Sequence, residues 1–159
     1  MRELRATAAG TVDAPPEACL ALLADVAAYP RWCPQTVRRA EAVERDSDGH
    51  PTRARITLRL GLGPLAGSFD ELMAVRVDAP DRVSLTRVPH QPTDPERLEV
   101  TWQIRPGPPA RLEVELTAAL DVPRLVPLGA MANSVAQDLV AAASRALSPP
   151  SPMASATSS

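Results

Sequence analysis

Glu71, Arg87 and His90 are the side chains of this sequence whose types and positions suit acid–base chemistry. Glu71 shares a predicted strand face with Met73, and Arg87 shares one with Leu85. A carboxylate on an apolar face needs a cationic partner, and Arg87 is available for that role. A base beside hydrogen-bond donors could take a carbon-bound proton, and the donors could stabilise the oxyanion that forms. The structural alternative is a solvated carboxylate and an arginine that reaches water.

The potential soft metal ligands of the chain are few and widely separated. They are Cys19, Cys33, His50 and His90. Their spacings match no metal-binding motif, so we expect no metal and no cofactor. The glycines at 61 and 63 lie between two predicted strands, which indicates a flexible rim and not a phosphate site at a helix start.

Arginine supplies all of the positive charge. Lys and Arg together number 17, and none of them is Lys, which excludes Schiff-base chemistry and a P-loop lysine. Arg53, Arg55 and Arg59 lie on one face of a predicted strand and could contact phosphates. Glu41 and Glu44 on the preceding strand can pair with them instead, as on an ordinary solvated face. Because the net charge is −2, we expect no nucleic-acid partner.

Length and composition predict one domain. The chain has 159 residues, of which 45% are hydrophobic and 3% aromatic, so Leu, Val and Ala must build most of the core. Two cysteines are too few for a disulfide scaffold, and the sequence shows neither a secretory leader nor the ~20-residue apolar run that a membrane span needs. We therefore expect a soluble, cytoplasmic protein that is a monomer or weak homodimer. Residues 1–147 would form the domain, and the Ser/Pro-rich tail 148–159 would be disordered.

The 18 prolines divide the chain into segments of element length. A first strand over 4–12, with a close backbone approach at Gly10, precedes a helix over 15–27 and a helical turn over 29–32. A helix over 125–147 ends the pattern, with a stripe of small residues that leaves room beneath it. The order indicates an α+β fold in which an antiparallel sheet grips its last helix. Between the short and the long helices, period-two alternation predicts six strands, over 37–45, 53–60, 68–77, 82–88, 97–105 and 111–120.

The apolar strand faces and the stripe of the last helix supply the candidate lining of a ligand cavity. Trp32 and Trp102 are the strongest single candidates, because an indole offers a large flat surface and one N–H donor. We place Trp32 at the cavity mouth and Trp102 at its floor. Packing in a filled core is the alternative for every member of the set. The other candidates are Ile56, Leu58, Phe69, Met73, Leu85, Met131, Val135 and Leu139.

Three short blocks carry a resemblance to a known family. They are Val12-Asp13-Ala14-Pro15-Pro16-Glu17, Leu22-Leu23-Ala24-Asp25-Val26 and Tyr29-Pro30-Arg31-Trp32. With the predicted element order, the chain over 4–147 resembles the START-like, helix-grip (SRPBCC) superfamily, in its polyketide cyclase/dehydrase and coenzyme Q-binding branch. The resemblance implies a curved antiparallel sheet of about seven strands around the C-terminal helix, two short helices after the first strand, and a cavity for an apolar ligand. Leu20 and Cys33 depart from the family pattern by removing bulk.

The function expected from these features is the binding or transport of a hydrophobic small molecule such as a lipid, a quinone or a polyketide. One Tyr and two His residues are a poor supply of acids and bases, so we favour a binding protein over an enzyme. Two alternatives stay open, since one fold hosts many functions. One is a polyketide aromatase/cyclase or dehydratase, and the other is an interaction domain associated with the ribosome or with another protein.

Overall fold

A computed structural model describes residues 1–60 and 67–148. The glycine rim predicted at 61–64 and most of the predicted tail, 149–159, lie outside the described residues. A 3₁₀ turn over Val26–Ala28 joins the first two helices. The elements are β1 (Arg2–Val12), α1 (Pro16–Ala24), α2 (Tyr29–Trp32), β2 (Val37–Arg45), β3 (Pro51–Leu60), β4 (Gly67–Asp78), β5 (Arg82–Arg87), β6 (Arg97–Arg105), β7 (Ala110–Leu120) and α3 (Leu128–Leu147).

The seven strands form one curved antiparallel sheet in the order β1-β7-β6-β5-β4-β3-β2. From β2 to β7, each strand pairs with the next one in the chain, so this part is a meander. β1 pairs with β7, so the chain crosses from one sheet edge to the other between β1 and β2, and α1 and α2 fill that connection. The predicted α+β helix-grip fold, with two short helices after the first strand, is confirmed.

The inner face of the sheet packs against α3. In β7, alternation buries Leu112, Val114 and Leu116 on this face. α3 lies along β1 and β7, and a Cβ atom added to Gly10 would come 2.9 Å from Val140 Cγ1. The close approach predicted at Gly10 is therefore present, and a larger residue would require the helix side chain to move.

Two helix boundaries differ from the sequence prediction. The helix expected over 15–27 ends at Ala24, because Asp25 leaves helical geometry with φ −84° and ψ 75°. The last helix begins at Leu128 and not at 125. The physical reason is Pro127, since a proline disfavours helical geometry in the residue before it.

The buried face of α3 is wider than the predicted stripe. The stripe predicted from helical spacing consists of Leu128, Met131, Ala132, Val135, Leu139, Ala142 and Ala146. In the structure Ala136, Val140 and Ala143 are buried as well, whereas Ala146 is exposed. The additional small residues allow α3 to lie close to β1. Although α3 has 20 residues, neither it nor another described helix is apolar enough over a sufficient length to cross a membrane.

Candidate functional site

A cavity of about 60 Å³ lies between the inner face of the sheet and α3. That volume corresponds to a few water molecules and is far below the ~300 Å³ at which sites for drug-sized ligands begin. A larger ligand therefore requires the lining side chains to move apart. The lining consists of Tyr29, Thr36, Val37, Ile56, Leu58, Leu60, Met73, Leu85, Leu98, Val100, Leu116, Val135 and Leu139.

The polar side chains of this lining are Tyr29 and Thr36. The Tyr29 hydroxyl donates a 2.6 Å hydrogen bond to the carbonyl oxygen of Leu23. Burial raises the pKa of the Tyr29 phenol well above its usual value. The backbone polar groups of Thr36 are also hydrogen-bonded. Its N–H donates to the carbonyl oxygen of Cys33, and its carbonyl oxygen accepts from the N–H of Arg59. The deep part of the cavity therefore presents a mainly hydrocarbon surface.

Six of the ten predicted lining residues contact the cavity. The other four lie outside the lining. Whether any of the ten contacts a ligand stays a prediction. The six are Ile56, Leu58, Met73, Leu85, Val135 and Leu139, and the four are Trp32, Phe69, Trp102 and Met131.

The two tryptophans pack against each other beside the cavity. Trp102 is fully buried, and its ring lies 6.5 Å from that of Trp32 in an edge-on arrangement. Trp32 also contacts Tyr29, with ring centroids 4.7 Å apart. Among the described residues, neither indole nitrogen has a hydrogen-bond partner of acceptable geometry. Trp32 lines a separate surface depression with Asp138 and Arg145, and its position at the cavity mouth stays a prediction.

The lining residues that the sequence did not single out lie on apolar strand faces, in α2 or just after it. Alternation identifies such a face, but it does not separate the residues that touch the cavity from those packed in the core. Phe69 shows the difference: it shares the inner face with Leu58, its cross-strand partner, yet it is 46% exposed near the start of β4. The missed residues are Tyr29, Thr36, Val37, Leu60, Leu98, Val100 and Leu116.

Arg87 is buried at the centre of an ionic cluster. Its Nε–H donates to Glu71 Oε2 at 2.7 Å, as the sequence predicted for this pair. Its Nη2–H donates to Asp94 Oδ2 at 2.7 Å, and its Nη1–H donates to the carbonyl oxygen of Glu96 at 2.8 Å. The hydrogen bond to Asp94 is the main reason that the pKa of Arg87 lies above the usual value of an arginine. We refer to Glu71, Arg87, His90 and Asp94 as the Arg87 cluster.

Asp94 draws the β5–β6 connection towards Arg87. The Arg87 hydrogen bond, followed by the backbone N–H groups of Glu96 and His90, lowers the pKa of Asp94 to about 2. His90 Nε2 lies 3.4 Å from Glu71 Oε2, and the imidazole is mostly exposed. The cluster therefore combines a buried guanidinium, two carboxylates and one accessible imidazole.

Cross-strand register places Glu71 and Arg87 of the cluster on the cavity side of the sheet. Glu71 is directly opposite Ile56, and Arg87 is directly opposite Met73. Directly opposed residues of an antiparallel pair point to the same face, with Cβ atoms roughly 5 Å apart. Ile56 and Met73 both line the cavity. The cluster thus adjoins the apolar lining.

Two arginines of the row on β3 lie opposite glutamates of β2. Arg53 Nε lies 3.6 Å from Glu44 Oε2, and Arg55 is directly opposite Glu41. These contacts fit the interpretation of a solvated outer face. The absence of a nucleic-acid partner stays a prediction.

Asp46, Asp48 and His50 bring three potential metal-ligand atoms within 4.8 Å of one another. All three residues are exposed in the β2–β3 turn. Asp46 Oδ1 accepts the N–H groups of the other two, so the turn's own hydrogen bonds explain the cluster.

Comparisons with known proteins agree with this geometry. Residues 12–148 match the family described as polyketide cyclase / dehydrase and lipid transport. No curated protein sequence gives a significant match. Among solved structures, a START superfamily protein from Mycobacterium smegmatis is 22% identical with a TM-score of 0.73, over 90% of this chain and 96% of that one.

Two further structures share the fold at low identity. A protein from Thermus thermophilus is 20% identical with a TM-score of 0.70, over 91% of this chain and 97% of that one. The Zhui aromatase/cyclase from Streptomyces sp. R1128 is 15% identical with a TM-score of 0.66, over 92% of this chain and 94% of that one. Because the family match spans most of the sheet and all of α3, this chain belongs to the polyketide cyclase / dehydrase and lipid transport family.

Proposed function

We propose that this chain binds a hydrophobic small molecule in the cavity beneath α3, within one domain over residues 1–147. The observation that carries the proposal is the lining, which is apolar except for Tyr29 and Thr36. Burial of apolar ligand surface is favourable by roughly 25 cal/mol per Å². A polar group in the deep cavity would lose hydrogen bonds to water without replacement. The family description, which includes lipid transport, supports the same function.

The small volume of the cavity means that ligand binding must widen it. Met73 and several leucines line it, and these side chains can adopt other rotamers with little change in backbone. Val135 contributes from α3 and is only half-buried. We therefore expect a slender apolar segment to enter first by displacing side chains between the sheet and α3.

Val135 provides the test, because a larger side chain there can fill the cavity while the half-buried position limits strain. Val135→Trp is compared with Val43→Trp, which lies at an exposed position of the edge strand β2. The probe is methyl decanoate, a neutral molecule with one alkyl chain. At a concentration of ~100 Kd, we expect it to raise the Tm of the natural protein and of Val43→Trp by about 5–10 °C.

Val135→Trp should lose this rise in Tm. Equal rises in both variants would place the ligand outside the cavity and contradict the proposal, as would the absence of any rise in the natural protein. Circular dichroism of both variants establishes that the comparison is between folded proteins.

A second candidate function is aromatase/cyclase or dehydratase chemistry. The observation that favours it is the Arg87 cluster, in which His90 lies 3.4 Å from Glu71 beside an apolar cavity. A carboxylate and an imidazole so placed could take a carbon-bound proton from a poly-ketone. The structural likeness to Zhui aromatase/cyclase supports the fold for this chemistry and no more.

The enzyme candidate is tested with a poly-ketone substrate and Glu71→Gln. Loss of the carboxylate should lower turnover by about 10²–10⁴-fold if Glu71 is the base. Unchanged turnover would remove Glu71 from that role. If the natural protein binds methyl decanoate but does not turn over the poly-ketone, only the binding function remains supported.

A further inference from the structure

The end of the cavity lining formed by Ile56 and Met73 adjoins the Arg87 cluster, which carries a net negative charge. In the Arg87 cluster, one guanidinium faces two carboxylates, those of Glu71 and Asp94, so the net charge is −1 when His90 is neutral. An anionic group brought to this end would be repelled. A ligand with a neutral head would not meet that repulsion.

Burial and its two carboxylate partners make Arg87 a poor partner for a ligand carboxylate. Its side chain is 4% exposed, and each of its three nitrogens already donates a hydrogen bond. An incoming anion would have to reach a buried guanidinium that two carboxylates already hold through charge-assisted hydrogen bonds. The buried guanidinium therefore holds the cluster together, and of the groups around it only the His90 side chain is mostly exposed.

His90 presents the accessible acceptor. Its side chain is 61% exposed, and Nε2 lies 3.4 Å from Glu71 Oε2. A lone pair on Nε2 would face a carboxylate oxygen, so the neutral imidazole keeps its proton on Nε2. Nδ1 then carries the lone pair, which can accept a hydrogen bond from an O–H donor.

We propose that the Arg87 cluster is a head-group site selective for hydroxyl-bearing apolar molecules, such as long-chain alcohols, over the corresponding carboxylates. The hydrocarbon part occupies the cavity, and the hydroxyl donates to His90 Nδ1 at the cluster. This inference rests on the proposed binding function. It adds the polarity of the head group and the orientation of the ligand.

Three probes with the same alkyl chain test the selectivity by isothermal titration calorimetry. They are 1-decanol, which donates a hydrogen bond, methyl decanoate, which only accepts, and decanoate, which is anionic. We expect 1-decanol to bind about 3- to 10-fold more tightly than methyl decanoate, the contribution of one hydrogen bond. Decanoate should bind more weakly than both.

Two phenylalanine variants locate the head group. His90→Phe keeps an aromatic ring but removes the acceptor, and His50→Phe makes the same change at an exposed histidine in the β2–β3 turn. His90→Phe should reduce the 1-decanol preference to parity with methyl decanoate, and His50→Phe should retain it. Glu71→Gln should tighten decanoate binding by about 3- to 10-fold, because it removes one negative charge from the cluster.

The outcomes separate the two proposals. If none of the three probes binds, the cavity function itself is wrong. If all three bind with equal affinity, or decanoate binds best, the cavity function stands and the head-group site is wrong. The head-group proposal is also contradicted if His90→Phe leaves the preference for 1-decanol over methyl decanoate intact.

Discussion

Arg87 on β5 donates its Nε–H to Glu71 on β4 across 2.7 Å, on the side of the sheet that faces the cavity. The same guanidinium binds Asp94 and the carbonyl oxygen of Glu96 in the β5–β6 connection. One buried side chain thus joins two strands and a loop. Val88 extends this attachment, since its N–H donates to the carbonyl oxygen of Leu72.

Replacement of Arg87 should destabilise the fold. Arg87→Met keeps the length of the side chain but leaves Glu71 and Asp94 without their cation, so we expect a loss of about 3–5 kcal/mol in the free energy of unfolding. Urea denaturation measures it. The control is Arg76→Met, because Arg76 is 79% exposed and its contact with Asp78 should contribute less than about 1 kcal/mol. Equal losses in the two variants would show that the cluster is not a stabilising feature.

Asp94 should make stability depend on pH in the acid range. Its pKa is lowered to about 2 in the folded state, so the folded protein holds the proton less tightly than the unfolded chain does. This contribution is fully present above the ordinary pKa of an aspartate, near ~4, and is lost as the pH falls towards 2. Asp94→Asn should therefore be less stable than the natural protein at pH 6, with the difference shrinking below pH ~4. A difference that stays constant from pH 6 to 2 would assign the effect to something other than this carboxylate.

Even a methyl group at position 10 should lower the stability of the protein. Gly10→Ala places a Cβ 2.9 Å from Val140 Cγ1, and we expect overpacking to cost about 1–3 kcal/mol. Val140→Ala in the same chain should recover part of the loss, as a double-mutant cycle would show. Gly129→Ala is the matched control, since nothing lies within 4 Å of its added Cβ and the position is in the first turn of α3. It should stabilise the protein by up to about 1 kcal/mol through helix propensity.

A larger cavity should favour ligand binding. Leu85→Ala removes a lining side chain and is expected to cost about 2–5 kcal/mol of stability. Methyl decanoate should raise the Tm of this variant by more than it raises that of the natural protein, because the ligand fills the space created. Val83→Ala on the same strand is the control: Val83 is fully buried but lies outside the lining. A similar change in ligand response for both variants would argue against a specific cavity site.

Local patterns in the sequence predicted much of the fold. The strand bounds 37–45 and 97–105 agree with β2 and β6, because period-two alternation is visible within the segment itself. The pairing of Glu71 with Arg87 was also predictable, since a carboxylate on an apolar face needs a cation. Asp94 was not predicted in the cluster, because its nine-residue connection, 88–96, contains no periodic signal that brings it back to the sheet.

The sequence by itself determined the α+β class, the order of the elements and which face of each strand is apolar. The tertiary structure decided which apolar residues touch the cavity, since that depends on cross-strand register and on the position of α3. It turned Trp32 towards a surface depression and placed Phe69 outside the lining. It also surrounded Arg87 with acceptors from β4 and from the β5–β6 connection. Alternation assigns a residue to a face, whereas depth and contact follow only from how the faces are packed together.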